Sequence, residues 1–173
     1  MSEFPKIQDL PDDGSQQKEV YAAAGLALYT AQVWERGMLN LALIMRRAKE
    51  DLPTVDDWDK SEDALSSLTA GGLRRTIEKE GLAPTKTLKL WKKALDTRNA
   101  LAHGFFYKHA AAFMVPEGRQ LMLDELEDKI KQFELADEKT RDAIARTTKL
   151  WGITEEDIET EGQRLVEDFQ NSL

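Results

Sequence analysis

Arg98, Asn99 and His103 fall within six residues, in the stretch Arg98-Asn99-Ala100-Leu101-Ala102-His103-Gly104-Phe105-Phe106. An imidazole near neutral pH can take a proton from a hydroxyl or return one to a leaving oxygen. A guanidinium offers phosphate oxygens a planar fork of donors, and its fixed charge stabilises a developing pentacoordinate phosphorus. Together they suffice, without a metal, to drive attack of an RNA 2′-hydroxyl on its own phosphodiester. Asn99 precedes His103 by four residues, so on a helix it shares the imidazole's stripe and could orient it. Arg98 is five residues away, about 140° around and about 7.5 Å along a helix. One helix therefore does not make a tight Arg–His pair; a groove, or two copies facing each other across a dimer, would. The plain structural alternative is that His103, before Gly104, bonds the last carbonyls of its helix, with Arg98 on the surface and Asn99 buried.

The charge distribution around this stretch is uneven. The 173 residues carry a net −8, with 32% charged and 41% hydrophobic residues. Residues 71–110 are net +6, between a net −6 before them and −8 after. An acidic whole argues against indiscriminate nucleic-acid binding, whereas a basic middle allows a local phosphate-contacting face. Arg74, Arg75, Lys89, Lys92, Lys93 and Lys108 are the candidate RNA-binding residues, with Lys79 and Lys86 in the same run; solvated helix surface is the other reading. Glu35, Arg36 and His109 are secondary candidates, as is Lys108 in its own right, and all four read more simply as surface residues.

Other chemistries find little support. There is no cysteine and there are only two histidines, so thiol catalysis, disulfides and Cys-type zinc sites are excluded. Carboxylate groups such as Glu125/Asp128 and Glu155/Glu156/Asp157 read as helix-surface charge, so no metal and no cofactor is expected. The glycines follow neither the phosphate-loop nor the dinucleotide spacing, and no serine–histidine–acid motif is present.

Positioning falls to helices. From about Gln16 to Glu50, Val20, Ala24, Ala27/Leu28, Ala31, Trp34, Met38, Leu41 and Met45 recur at three- and four-residue spacing. A second helical region, capped by Ser61, carries Leu65, Leu68, Leu73 and Ile77, is broken at Gly71-Gly72 and stops at Gly81. A third opens at Pro84-Thr85, turns Leu88, Trp91, Leu95 and Ala102 inward, and is expected to end at Gly104. Phe105-Phe106-Tyr107 follow as apolar anchors, then a short Ala110–Met114 segment. From Pro116 a long helix bears Leu126, Ile130, Phe133, Thr140, Ile144 and Trp151, ending at Gly152. Thr154-Glu155-Glu156-Asp157 resembles a capping box for a last helix with Ile158, Leu165, Val166 and Phe169. The expected fold is all-α, an up-and-down helical bundle of about five helices: residues 1–15 a flexible lead-in, residues 16–173 one domain. Neither a secretory signal nor an apolar run of the roughly 20 residues that cross a bilayer is read, so a cytoplasmic location without membrane attachment is expected.

At Arg98, Asn99 and His103 the sequence resembles the HEPN superfamily, helical-bundle domains marked by Arg-Asn-x-x-x-His near the end of an amphipathic helix. The helical layout extends the resemblance over most of residues 16–150. It implies a metal-independent endoribonuclease acting as a homodimer, with the two motifs forming one composite cleft. His103 would be the general base or acid, Arg98 would stabilise the phosphate and Asn99 would support both. The products would be a 2′,3′-cyclic phosphate and a 5′-hydroxyl. It further implies a toxin–antitoxin or phage-defence setting, with RNA as substrate and an antitoxin or defence protein as partner. Many members have lost catalysis, so a non-catalytic interaction or scaffold protein is the alternative. Phe105 stands where the branch paired with a nucleotidyltransferase antitoxin has the tyrosine that is modified, so the resemblance does not reach that regulation.

Overall fold

The computed structural model describes residues 4–50, 60, 63–65, 68–79, 81, 83–150 and the single positions 163, 167, 170 and 171. Every regular element among the described residues is helical. A 3-10 turn, Ile7–Asp9, precedes α1 (Ser15–Glu50), α2 (Ala70–Lys79), α3 (Thr85–Lys108), the single turn α4 (Ala110–Phe113) and α5 (Pro116–Leu150). The all-α bundle is thus as expected.

The α1 stripe is buried along its length: Val20, Ala27, Ala31, Trp34, Met38 and Leu41 are each at most 1% exposed. A residue every three to four positions faces inward because 3.6 residues make a turn. Trp34 stacks on Phe133 at 6.5 Å between centroids, and Thr140 lies against Met38. Gln16 meets Arg119 near the start of both helices. These pairings run in the same sense, so α1 and α5 pack in parallel. The α3 helix is antiparallel to α5: the Trp91 indole donates to the Ala136 carbonyl at 3.3 Å, Thr97 pairs with Gln132, and Lys108 approaches Glu125. Three long helices thereby enclose one core.

Several boundaries differ from expectation. The third helix does not stop at Gly104 but continues to Lys108, with His109 as its C-cap. Gly104 is an interior position there, because Leu101 and Phe105 keep the stripe buried across it and hold the next turn in place. Ala102, expected inward, is exposed. The buried positions run Thr87, Trp91, Ala94, Leu101, Phe105, a heptad-like series in which Arg98 occupies the step between Ala94 and Leu101. Gly71-Gly72 do not break a helix; both lie in the first turn of α2, whose Gly72 N–H donates to Thr69 Oγ1 at 3.2 Å. Thr69 therefore caps α2. Gly81 does end that region, at φ +69°, where an L side chain would be strained.

Residues 1–15 include a docked anchor rather than lead-in alone. Ile7 is 1% exposed, and its N–H donates to Gln120 Oε1 at 2.8 Å. The Asp13 carboxylate accepts from the Ser15 N–H and hydroxyl at 3.1 and 2.6 Å as α1 begins. Ser61, Trp151, Gly152 and the capping box at Thr154 lie outside the described residues. Of the last expected helix only Gln163, Glu167, Gln170 and Asn171 are described, all helical and exposed. Among the described residues no helix is long and apolar enough to cross a membrane.

Candidate functional site

The site begins with a polar residue at a core position of α3. Facing α1 from the heptad series, Arg98 meets Glu35, the first charged residue after an uncharged run from Val20 to Trp34. Its Nε lies 2.7 Å from Glu35 Oε1, and its Nη2 donates to Oε2 at 3.0 Å. The Nε contact is bent too far to be an aligned hydrogen bond, so it acts chiefly through charge. The two side chains are 32% and 19% exposed, and a two-point pair at this depth fixes the guanidinium plane. The third nitrogen, Nη1, donates to Asn99 Oδ1 at 3.0 Å. A guanidinium carries five N–H groups; two are donated to these partners, the Nε–H lies off-axis beside Glu35, and one on each terminal nitrogen has no partner among the described residues.

His103 lies elsewhere on the helix. It is exposed and has no hydrogen-bond or ionic partner among the described residues. Asn99, expected to orient the imidazole, instead binds its own neighbour Arg98. Because α3 continues past Gly104, His103 is not at a helix end, and the capping explanation for it falls away. His109 holds that position instead. Within one chain, then, Arg98 and Asn99 come together with Glu35, and His103 stands apart on the outward face.

The six expected RNA-binding residues divide in the same way. Lys89, Lys92 and Lys93 are exposed on α3, with Lys92 paired to Asp96 at 3.0 Å. Arg74 and Arg75 lie on α2, where Arg74 is engaged by Glu78 at 3.0 Å. Lys108 is 3.5 Å from Glu125 and belongs to a separate cluster. Glu125 also takes Lys129 Nζ at 2.8 Å and lies 2.8 Å from His109 Nε2. The His109 ring packs on Phe105 at 4.7 Å. Partial burial opposes ionisation of Glu125, but the hydrogen bond from Lys129 and the charges of Lys129, His109 and Lys108 outweigh it and lower its pKa. This cluster ties the end of α3 to α5.

Sequence reasoning missed one polar centre altogether. Arg119 is 2% exposed and donates to Gln16 Oε1 at 2.7 and 3.1 Å, to the Phe113 carbonyl at 3.1 Å and to Asp12 Oδ1 at 3.1 Å. It joins the N-terminal anchor, α1, α4 and α5. Its signal was its place on an apolar stripe, three residues before Met122 and seven before Leu126. Among the described residues no group of three or more His, Asp or Glu side chains is placed to hold a metal ion.

No family model, curated protein or solved structure matches the chain. An all-helical bundle with a buried-flank Arg–Glu pair and an outward histidine is the class that the fold and the site define.

Proposed function

We propose that this chain is one protomer of a HEPN-type, metal-independent endoribonuclease whose site is completed by a second copy. The observation that carries the reading is the state of Arg98. It is held in a fixed plane by Glu35 and Asn99 with two N–H groups to spare, while His103 on the same helix is free and exposed. A phosphate contacting Arg98 would receive charge-assisted hydrogen bonds, and an imidazole from the facing copy could reach the 2′-hydroxyl. Proton removal from that hydroxyl, attack on phosphorus and protonation of the leaving 5′-oxygen give a 2′,3′-cyclic phosphate and a 5′-hydroxyl end.

A surface for the second copy is consistent with this reading. The outward side of α1 exposes Tyr21, Leu26, Tyr29 and Val33 with no charge between Glu19 and Glu35. Water-exposed apolar side chains over little more than three helical turns favour association. The toxin or phage-defence setting, the antitoxin or defence partner and the cytoplasmic location rest on the resemblance and the absence of cysteine.

One observation favours a second reading. Glu35 neutralises Arg98, and a half-buried ion pair can serve as a lock between α1 and α3 in a non-catalytic scaffold of the same shape. The two readings separate in one experiment, cleavage of unstructured RNA in EDTA by wild type, Arg98→Ala and His103→Ala. The ribonuclease predicts cleavage by wild type and a loss of at least about 100-fold in each variant. Equal, background-level cleavage by all three proteins would leave the scaffold.

A further inference from the structure

We propose that the outward face of α3 is a track for single-stranded RNA, on which Lys86, Lys89 and Lys93 hold phosphates and Tyr107 stacks a base beside His103. At 100° per residue these five side chains fall within a sector of about 100°, opposite the Trp91–Arg98–Phe105 stripe. All five are exposed, and Lys86, Lys89 and Lys93 have no ionic partner among the described residues. The only acidic residue of α3, Asp96, lies on the same face and is already engaged by Lys92 at 3.0 Å. The face therefore presents net positive charge along its first half, within a chain of net −8.

Tyr107 gives the face its preference. Its side chain is 91% exposed and has no ring partner among the described residues, unlike Phe105 and Phe106, which contact each other and their neighbours. A helical turn separates it from His103, about 6 Å along the axis, and the whole face from Lys86 runs about 30 Å. A free ring beside a row of cations matches what an unpaired strand offers, since every base has a face to stack and every nucleotide a phosphate. A duplex keeps its bases stacked within itself and gives such a ring nothing to bind. In placing the cut next to His103 the inference rests on the ribonuclease reading; strand binding does not.

The test uses a 2′-O-methyl oligoribonucleotide, which lacks the attacking hydroxyl, as a single strand and as a duplex. The single strand is expected to bind about tenfold more tightly than the duplex, and Tyr107→Ala to remove about that factor while Tyr107→Phe retains it. The double variant Lys89→Gln/Lys93→Gln is expected to reduce the slope of log affinity against log salt by about 1.4. Equal binding of the duplex, or Tyr107→Ala indistinguishable from wild type, overturns the track. Tyr107-dependent strand binding without cleavage of unmodified RNA supports the track and removes the ribonuclease reading. Cleavage that needs Arg98 and His103 but is indifferent to Tyr107 does the reverse.

Discussion

Arg98 shows how a single polar side chain can occupy a packing position and, in the proposed reading, also serve a site. Its stripe position sends it toward α1, and Glu35 makes that burial tolerable by pairing with it at 2.7 Å. An unpaired guanidinium at this depth would lose hydration with nothing in return. The Glu125 cluster follows the same logic with the opposite sign, one carboxylate among Lys108, His109 and Lys129. Because its pKa is lowered on folding, Glu125 adds stability above its ordinary value of 4.5, and that stability is lost as pH falls through the lower folded value. Glu125→Gln is therefore expected to flatten the acid side of the stability profile, with the gap to wild type narrowing below pH 4.5. Thermal unfolding across a pH series reads this; parallel curves for the two proteins would contradict it.

At the scale of elements, glycine chemistry separates what local sequence suggests from what packing imposes. A glycine ending a helix in the left-handed region resists replacement, and one inside a helix welcomes it. Gly104 is interior to α3, with nothing within 4 Å of where a Cβ would stand. Gly104→Ala should stabilise the protein by about 0.5–1 kcal/mol. Gly118 is the opposite case. It opens α5 directly beneath the Ala112 carbonyl of α4, where a Cβ would collide with backbone. Gly118→Ala should cost about 1–3 kcal/mol, since the α4–α5 corner would have to move. Urea unfolding of the two variants measures both; destabilisation by Gly104→Ala would mean that α3 ends where the sequence suggested.

For the whole molecule the question is how Arg98 and His103 could act together from different sides of one helix. The offset of about 140° is fixed by helix geometry, and the continuation of α3 past Gly104 removes any bend that could reduce it. In the proposed dimer the two groups come from different chains, which gives a direct test. Arg98→Ala and His103→Ala, each inactive alone, should regain cleavage when mixed and allowed to exchange protomers, because the mixed dimer keeps one Arg98 and one His103 in a shared cleft. Cleavage assays on the separate and mixed proteins check this, and no recovery despite demonstrated exchange would exclude a site shared in that way.

The helices themselves were legible in the sequence. Val20 to Met45 and Leu126 to Thr140 repeat with the period of an α-helix, and that periodicity is a local property of side-chain spacing. The motif was legible too, as residue types at given offsets, and so was its failure to close within one helix. The tertiary structure decided where α3 ends, because Leu101 and Phe105 stay buried across Gly104 and outweigh the local preference of glycine for a cap. It decided the partner of Arg98, since Glu35 is 63 residues away and no local pattern links the two. It also decided that Asn99 serves Arg98 rather than His103, a choice set by which side of α3 faces α1. Spacing along the chain gave the direction of each side chain from its own helix axis; only the packing of one axis against another gave it something to meet.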